Sequence, residues 1–196
     1  PGMAKVTFGT GGMLDICIGD VRPDAERRST NGTFPIVAWT GAGRTVYGVE
    51  AIMLSAGTNV EWLVDDMGLI DTPAASHDLA ATVPDTGGVV YVPALLGLGT
   101  PQWDYGARGM LGGLTRGSER AHFVRAVLEG VAHRGADLVA AAEADTSLTI
   151  PTLRVDGGMS ANPTFVQALA DATAKPVEVS PIVDATTLGA GFLAGA

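Results

Sequence analysis

The spacing of apolar residues changes character along the chain, and that change constrains the fold more than any other feature. Up to Val49 the period is two: Val6 and Phe8, then Leu14, Ile16 and Ile18, alternate with other residues, as half-buried strands do. The break between these runs is GTGG, Gly9 to Gly12, so Ala4–Phe8 and Leu14–Ile18 read as a hairpin. A third strand is predicted over Ile36–Trp39, just after Pro35, and a fourth over Thr45–Val49, with the polar stretch Asp20–Thr33 as an exposed connection. The chain opens antiparallel.

From Gly57 the period lengthens. Val60, Leu63, Val64 and Met67 recur at helical spacing and Gly68 follows as a stop. Val89–Val92 is a short apolar strand, followed by a long Gly-rich passage, ALLGLGTPQWDYGARGMLGGLTRG, with too little periodicity to assign. Ser118 is a candidate N-cap for a long helix whose Val124, Val127, Leu128, Val131 and Leu138 form one stripe, with Gly130 and Gly135 permitting close packing. Leu153–Val155 then reads as a strand, Asp156–Ala161 as a turn, and Asn162 with Pro163 as the N-cap and first position of a helix through Phe165, Leu169 and Ala172. Val177–Val179 and a closing helix from Asp184 complete the tail. The expected architecture is one α/β domain, a mixed sheet with helices on both faces.

At 196 residues the chain has room for one domain with a substantial core. Its 21 Asp plus Glu against 12 Lys plus Arg give a net charge of -9, which repels nucleic acid and anionic membrane alike. Any phosphate ligand must be held locally. The lone Cys17, within an apolar run, reads as a buried core thiol and leaves no internal disulfide. No stretch approaches the roughly 20 apolar residues of a membrane span, and PGMAKVTFGT lacks the regions of a signal peptide. A cytoplasmic protein is expected. A start at Pro1 and an end on the apolar pattern TTLGAGFLAGA suggest a piece of a longer chain.

Two glycine turns carry the candidate chemistry. A hairpin tip of Gly9, Thr10, Gly11 and Gly12 can present successive backbone N–H groups as a nest that an anion approaches closely, with the Thr10 hydroxyl as a further donor. The second turn, DGGMSAN, precedes a helix whose unpaired N–H groups favour a phosphate or polar group. Facing each other, they would clamp a nucleotide. Taken singly, each is also a tight hairpin or a strand-to-helix corner. Neither is a Walker loop, because GxxxxGK[ST] is absent, and neither fits GxGxxG opening a βαβ unit.

In order and spacing, KVTFGTGG, AGTNVEWLVDDMGLI, VPALLGLGTPQWDYGARGMLGGLTRG, LRVDGGMSANPTFVQALADATAKPVEV and TTLGAGFLAG resemble the C-terminal lobe of FGGY-family carbohydrate kinases, over nearly the whole chain. Within that family they look most like glycerol kinases, whose motifs run near KNTYGTG, AGxxIQWLRD, GLGAPYWDPYARG and VDGG followed by AN. Pentulose kinases usually carry GERTP where this chain has Gly97 to Pro101.

The resemblance implies the ribonuclease-H-like fold of actin-like ATPases, with residues 1–196 as one lobe of a two-lobe kinase that closes over ATP, Mg²⁺ and a small polyol or sugar. Carried over by residue, Gly9, Thr10 and Gly11 would lie against the phosphates, Gly57 and Glu61 would approach them or the sugar, and Gly158 and Asn162 would border the adenosine. The implied partner is an N-terminal kinase lobe; a homo-oligomer is left open. Glu61 stands where family members often have Gln, Val6 where they have Asn, and Met13 where glycerol kinases tend to have an aromatic residue against the substrate. The family's general base belongs to an Asp-Gln-Gln-like motif slightly upstream of the hairpin, so no catalytic residue is assigned within this chain.

The remaining residues carry weaker signals. Asp15 and Asp156 read as structural or capping acids, with Mg²⁺ contact open for Asp156. His77, His133 and His122 lack metal-ligand spacing and read as surface or helix-face residues. Trp39, Trp62 and Trp103 read as core or interface aromatics, Asp104 and Arg108 as braces of the Gly-rich loop, and Asp65 with Asp66 as a solvated helix end. Two rival readings remain: a xylulokinase-like pentulose kinase lobe, and a non-catalytic actin-like nucleotide-binding or structural domain. An Asp-Gln-Gln-like motif preceding Pro1 in the parent protein would favour a kinase over the second.

Overall fold

The computed structural model describes residues 1–23, 27–182 and 185–195. In chain order the elements are β1 (Ala4–Phe8), β2 (Gly12–Gly19), β3 (Phe34–Gly41), β4 (Arg44–Met53), α1 (Gly57–Asp65), α2 (Ala75–Ala80), β5 (Val90–Val92), β6 (Met110–Gly112), α3 (Arg120–Thr146), β7 (Leu153–Asp156), α4 (Pro163–Thr173), β8 (Val177–Val179) and α5 (Ala185–Ala194), with a 3-10 turn at Gly158–Ala161. Six strands form one sheet in the order β3-β4-β2-β1-β7-β8. The first four pair antiparallel, whereas β7 pairs parallel to β1 and β8 parallel to β7. That is the mixed sheet the two periodicities predict.

Alternation along the strands sorts the two faces of the sheet. Val6, Phe8, Leu14, Ile16, Ala51, Leu153 and Val155 are buried on one face, within the same hydrophobic core as Val124, Val131 and Leu138 of α3 and Phe165 and Leu169 of α4. Each of the larger side chains among these contributes about 1.5–3 kcal/mol when fully buried. Phe8 meets Phe165 edge-on, ring centroids 4.8 Å apart at 78°. Gly135 of α3 makes room for that pair, since a Cβ there would lie 2.7 Å from Leu169 and 3.2 Å from the Phe8 ring.

The opposite face carries a charged row. Strand register places Glu50 beside Asp15, Asp15 beside Lys5, Lys5 beside Arg154 and Arg154 beside Glu178. Lys5 Nζ sits 3.0 Å from Asp15, and Arg154 pairs with Glu178 at 3.0 Å. Burial pushes the Glu50 carboxyl above its ordinary pKa, the neighbouring Asp15 charge adds to the shift, and Lys5 opposes it. The start of α5 lies over this face, where Ala185 and Thr186 share a small cavity with Lys5 and Arg154.

Several boundaries differ from the sequence reading. β4 extends to Met53, four residues past Val49, because Ala51 and Met53 continue the buried alternation. The cap of α3 is Glu119 rather than Ser118. Ser118 instead accepts the Thr115 N–H with its hydroxyl, closing a turn, while His122 Nδ1 accepts the Glu119 N–H at 3.0 Å. Helix α2 and strand β6 were not predicted. Cys17 is half-buried rather than a core thiol, because it lies on the charged side of β2. Trp39 lies 39% exposed on the edge strand β3, whereas Trp62 packs against the core. Asp184, the expected start of the closing helix, and residues 24–26 of the Asp20–Thr33 connection lie outside the described residues.

The Gly-rich loop is held from three sides. Asp104 Oδ1 accepts the N–H groups of Gly106 and Ala107, and Arg108 donates to the carbonyls of Tyr105, Gly106 and Ala107, which is the bracing role expected of this pair. Arg134, 7% exposed on α3, donates to the Thr100 carbonyl at 2.6 Å and to Gln102 at 3.1 Å. Trp103 Nε1 and the Thr100 hydroxyl both donate to the Gly32 carbonyl. The loop around Gly32 is in turn clasped by Asp145 at the end of α3, whose carboxylate accepts from Ser29, from the Asn31 side chain at 2.8 Å and from the Thr33 hydroxyl at 2.7 Å. Burial acts to raise the pKa of Asp145, but these hydrogen bonds outweigh it and hold the carboxyl below its ordinary range.

Candidate functional site

A cleft of about 730 Å³ opens where β1 and β7 end. Phe8, Gly9 and Thr10 reach it from the hairpin, Gly57, Val60 and Glu61 from α1, Ser76, His77 and Asp78 from α2, and Gly158, Met159 and Asn162 from the turn before α4. Six of the seven residues singled out in the sequence therefore share one cavity. Both glycine turns face it from the same side of the sheet. Gly11 does not line it; a Cβ there would lie 2.8 Å from the Met53 carbonyl, so the position is tied to close packing on β4.

The two turns meet at the Phe8–Gly9 backbone. Gly57 donates its N–H to the Gly9 carbonyl at 2.8 Å, and Ala56 donates to the Thr10 carbonyl at 2.8 Å. A Cβ on Gly57 would stand 2.6 Å from the Gly9 oxygen, and one on Gly157, whose φ is 87°, would stand 2.5 Å from the Phe8 oxygen. Both positions must lack a side chain for the walls to close. The first amides of α1 are thus spent on hairpin carbonyls rather than left open to a ligand. The hairpin tip is uncommitted: among the described residues the N–H groups of Gly9, Thr10 and Gly11 donate to no protein acceptor. Successive free amides on glycine backbone make a nest for an anion.

The far wall is sewn from side chains. Asn162 caps α4 by accepting the Phe165 N–H at 3.0 Å and donates from Nδ2 to the Ser76 hydroxyl at 2.9 Å. His77 Nδ1 lies 2.8 Å from the Thr164 hydroxyl, a second bond between α2 and α4. Sequence reading missed Ser76 and His77 because α2 has six residues, under two turns of periodic signal; Pro73 ahead of the helix-forming run AASHDLA was the available cue.

Glu61 and Asp78 stand exposed on the rim with no hydrogen-bond donor among the described residues. One end of the cleft therefore offers amides to an anion, and the rim offers acceptors to hydroxyl or amino groups. No group of three or more His, Cys, Asp or Glu among the described residues could hold a metal ion. Asp156, which the sequence left open as a Mg²⁺ contact, lies on the charged side of the sheet at 7% exposure, in the small cavity with Lys5 and Arg154 rather than in the cleft. No described helix is long and apolar enough to cross a membrane.

Residues 4–196 match the family described as the FGGY family of carbohydrate kinases, C-terminal domain. A glycerol kinase of Gloeobacter violaceus is 45% identical over 195 residues, covering 100% of this chain and 38% of the relative. Among solved structures, Plasmodium falciparum glycerol kinase with ADP superposes with a TM-score of 0.85 at 35% identity, covering 95% of this chain and 37% of that one. A xyloylose kinase from Brucella ovis gives 0.81 at 28% identity, with 94% and 37% covered. The chain thus spans about 38% of the length of the curated relatives it matches.

Proposed function

The chain belongs to the FGGY family of carbohydrate kinases, as its C-terminal domain, and on that premise we propose that it is the nucleotide-gripping lobe of a kinase that moves the γ-phosphoryl group of ATP to a hydroxyl of glycerol or a related small polyol. The observation that carries the reading is the convergence of both glycine turns on one cleft, with the free amides of Gly9 and Thr10 at one end and the Asn162 wall at the other. In this reading the amides and hydroxyl of Thr10 and its neighbours take phosphate oxygens, Gly57 keeps the hairpin at working distance, Glu61 reaches toward the ribose, and Gly158 with Asn162 borders the adenosine.

Phosphoryl transfer asks a protein mainly for positioning and charge stabilisation. This lobe supplies the first through fixed backbone donors. Its described residues build no self-contained metal site, so Mg²⁺ is read as arriving with the nucleotide. The general base is assigned to an N-terminal lobe, residues 1–196 being the C-terminal lobe of a two-lobe enzyme of the cytoplasm. Glycerol ranks first because the relatives named glycerol kinase align over the whole chain. A pentulose acceptor ranks second, favoured by Met13, 38% exposed next to the hairpin tip, which leaves a more adaptable surface than an aromatic ring.

A coupled ADP-release assay of the parent enzyme over a panel of polyols and pentuloses tests this. The expected result is turnover with glycerol or a short polyol, and activity on none of the panel rejects the assignment.

A further inference from the structure

A chain of hydrogen-bonded polar groups runs behind the hairpin tip. Asn59, fully buried on α1, donates from Nδ2 to the Ser55 carbonyl at 2.9 Å, the Ser55 hydroxyl at 3.0 Å and the Ala56 carbonyl at 2.9 Å. Its Oδ1 accepts the Tyr91 hydroxyl at 2.9 Å. The Ser55 hydroxyl lies 2.6 Å from that of Thr58, which donates to the Thr10 carbonyl at 3.2 Å. A continuous path of hydrogen bonds therefore runs from Tyr91 on β5, through the buried start of α1, to the peptide unit that carries the free amide of Gly11.

Tyr91 is a fixed anchor for this path. Its ring stacks on Trp62 at 6.1 Å and 17°, and α3 packs against its backbone where Gly130 leaves room, a Cβ there lying 2.5 Å from the Tyr91 carbonyl. Burial pushes its phenol up to about 12, so the hydroxyl remains a donor to Asn59 throughout the neutral range. Asn59 in turn needs an amide: a carboxylate would face two carbonyls without a proton to give them.

We infer that Tyr91, Asn59 and Thr58 are positioning residues that orient the hairpin tip toward the phosphates of the bound nucleotide. None of the three donates to the ligand itself; together with the Ala56 amide, which holds the Thr10 carbonyl at 2.8 Å, they fix the planar peptide unit that follows the cleft residues Gly9 and Thr10, and so the orientation of the tip. The inference rests on the nucleotide-cleft reading above. It says further that phosphate affinity is set from β5 and α3, outside the cleft, by a route that leaves the adenosine wall untouched.

The test uses the parent protein, titrated calorimetrically with ADP and separately with adenosine. Tyr91→Phe, which keeps the ring and its stacking, and Thr58→Val are each expected to weaken ADP by roughly three- to tenfold, the range of one misdirected hydrogen bond, with adenosine affinity unchanged. Thr58→Ser, which keeps the hydroxyl, restores ADP binding. ADP affinity equal to wild type in both variants, or equal losses for ADP and adenosine, overturns the relay, since a structural defect alone moves the melting temperature or both ligands together. A wild-type parent that binds neither ligand overturns the reading of the cleft, and the relay with it.

Discussion

Gly57 and Gly9 are joined by one hydrogen bond of 2.8 Å from amide to carbonyl, at a point where a side chain on Gly57 would stand 2.6 Å from the same oxygen. This contact sets the separation between α1 and the hairpin, and hence the width of the cleft. It also explains why the N-cap of α1 is Ala56, with no capping side chain: the first amides of the helix already have acceptors on the hairpin.

Gly57→Ala therefore tests the geometry directly. The methyl group meets backbone, which cannot rotate away, so the hairpin and α1 must separate. A loss of about 1–3 kcal/mol in stability is expected from such overpacking, together with a roughly tenfold rise in KM for ATP in the parent enzyme, the factor that 1.4 kcal/mol of displaced donor geometry represents. Thermal melts and initial-rate kinetics read the two effects. Wild-type values of both would show that the contact is not the constraint it is taken to be.

Much of this was legible in the sequence, and what was missed has physical reasons. The hairpin, the DGG turn and the Asn162–Pro163 helix start announce themselves because glycine, an N-cap and a first-turn proline are local signals. Helix α2 is too short to show a period. Strand β6 is defined by pairing with β5 across the Gly-rich loop, a partner far away in sequence. Ser118 looked like a cap because serine generally is one, but His122 at the third helical position accepts the Glu119 amide and moves the boundary by one residue. The site's backbone half was thus readable, whereas the wall of Ser76 and His77 depends on two helices meeting.

The Asp145 clasp gives a pH signature. Its folded pKa is held below the ordinary carboxylate value by Ser29, Thr33 and Asn31, against the effect of burial. A depressed folded pKa contributes stability that is present above the unfolded value near 4 and is lost as pH falls through the lower folded value. Glu143 acts in the same direction: burial raises its pKa, but the Ile150 amide and Lys175 lower it further. Asp145→Asn is expected to cost about 1–2 kcal/mol at pH 7 and to flatten the loss of stability below pH 4, leaving the share due to Glu143. Denaturant midpoints measured from pH 7 down to pH 2.5 check this, and a variant with the slope of wild type would refute it.

Glu61 is the one acidic residue among the proposed nucleotide contacts, and it stands exposed without a partner among the described residues. A carboxylate near a polyphosphate repels it unless hydroxyl or amino donors intervene. With its carboxylate accepting from the ribose diol, Glu61→Gln is expected to raise the KM for ATP in the parent protein by roughly two- to fivefold, the range of one weakened hydrogen bond, and to leave that for 2′,3′-dideoxy-ATP unchanged. Steady-state kinetics with the two nucleotides check this, and a lower KM for ATP in the variant would refute it.

The 196-residue chain by itself is expected to release no ADP in the presence of Mg-ATP and glycerol. Among the described residues the carboxylates that reach the cleft are Glu61 and Asp78, both exposed on its rim; Asp156, which is buried, opens on the other face of the sheet with Lys5 and Arg154. On the proposed reading the general base comes from the other lobe, and none of these three carboxylates is assigned that role. The free amides of Gly9, Thr10 and Gly11 each offer about 0.5–1.5 kcal/mol net to a ligand oxygen, somewhat more to a charged one, but in a half-open cleft they compete with water for it. On the proposed reading, enclosure by an N-terminal lobe would remove that water and align the γ-phosphate with the hydroxyl. Calorimetry with Mg-ATP should accordingly show binding to the isolated chain far weaker than to the parent enzyme. Glycerol-dependent ADP release from the isolated chain would mean that a base within these 196 residues has been overlooked, with Asp78 the first residue to replace.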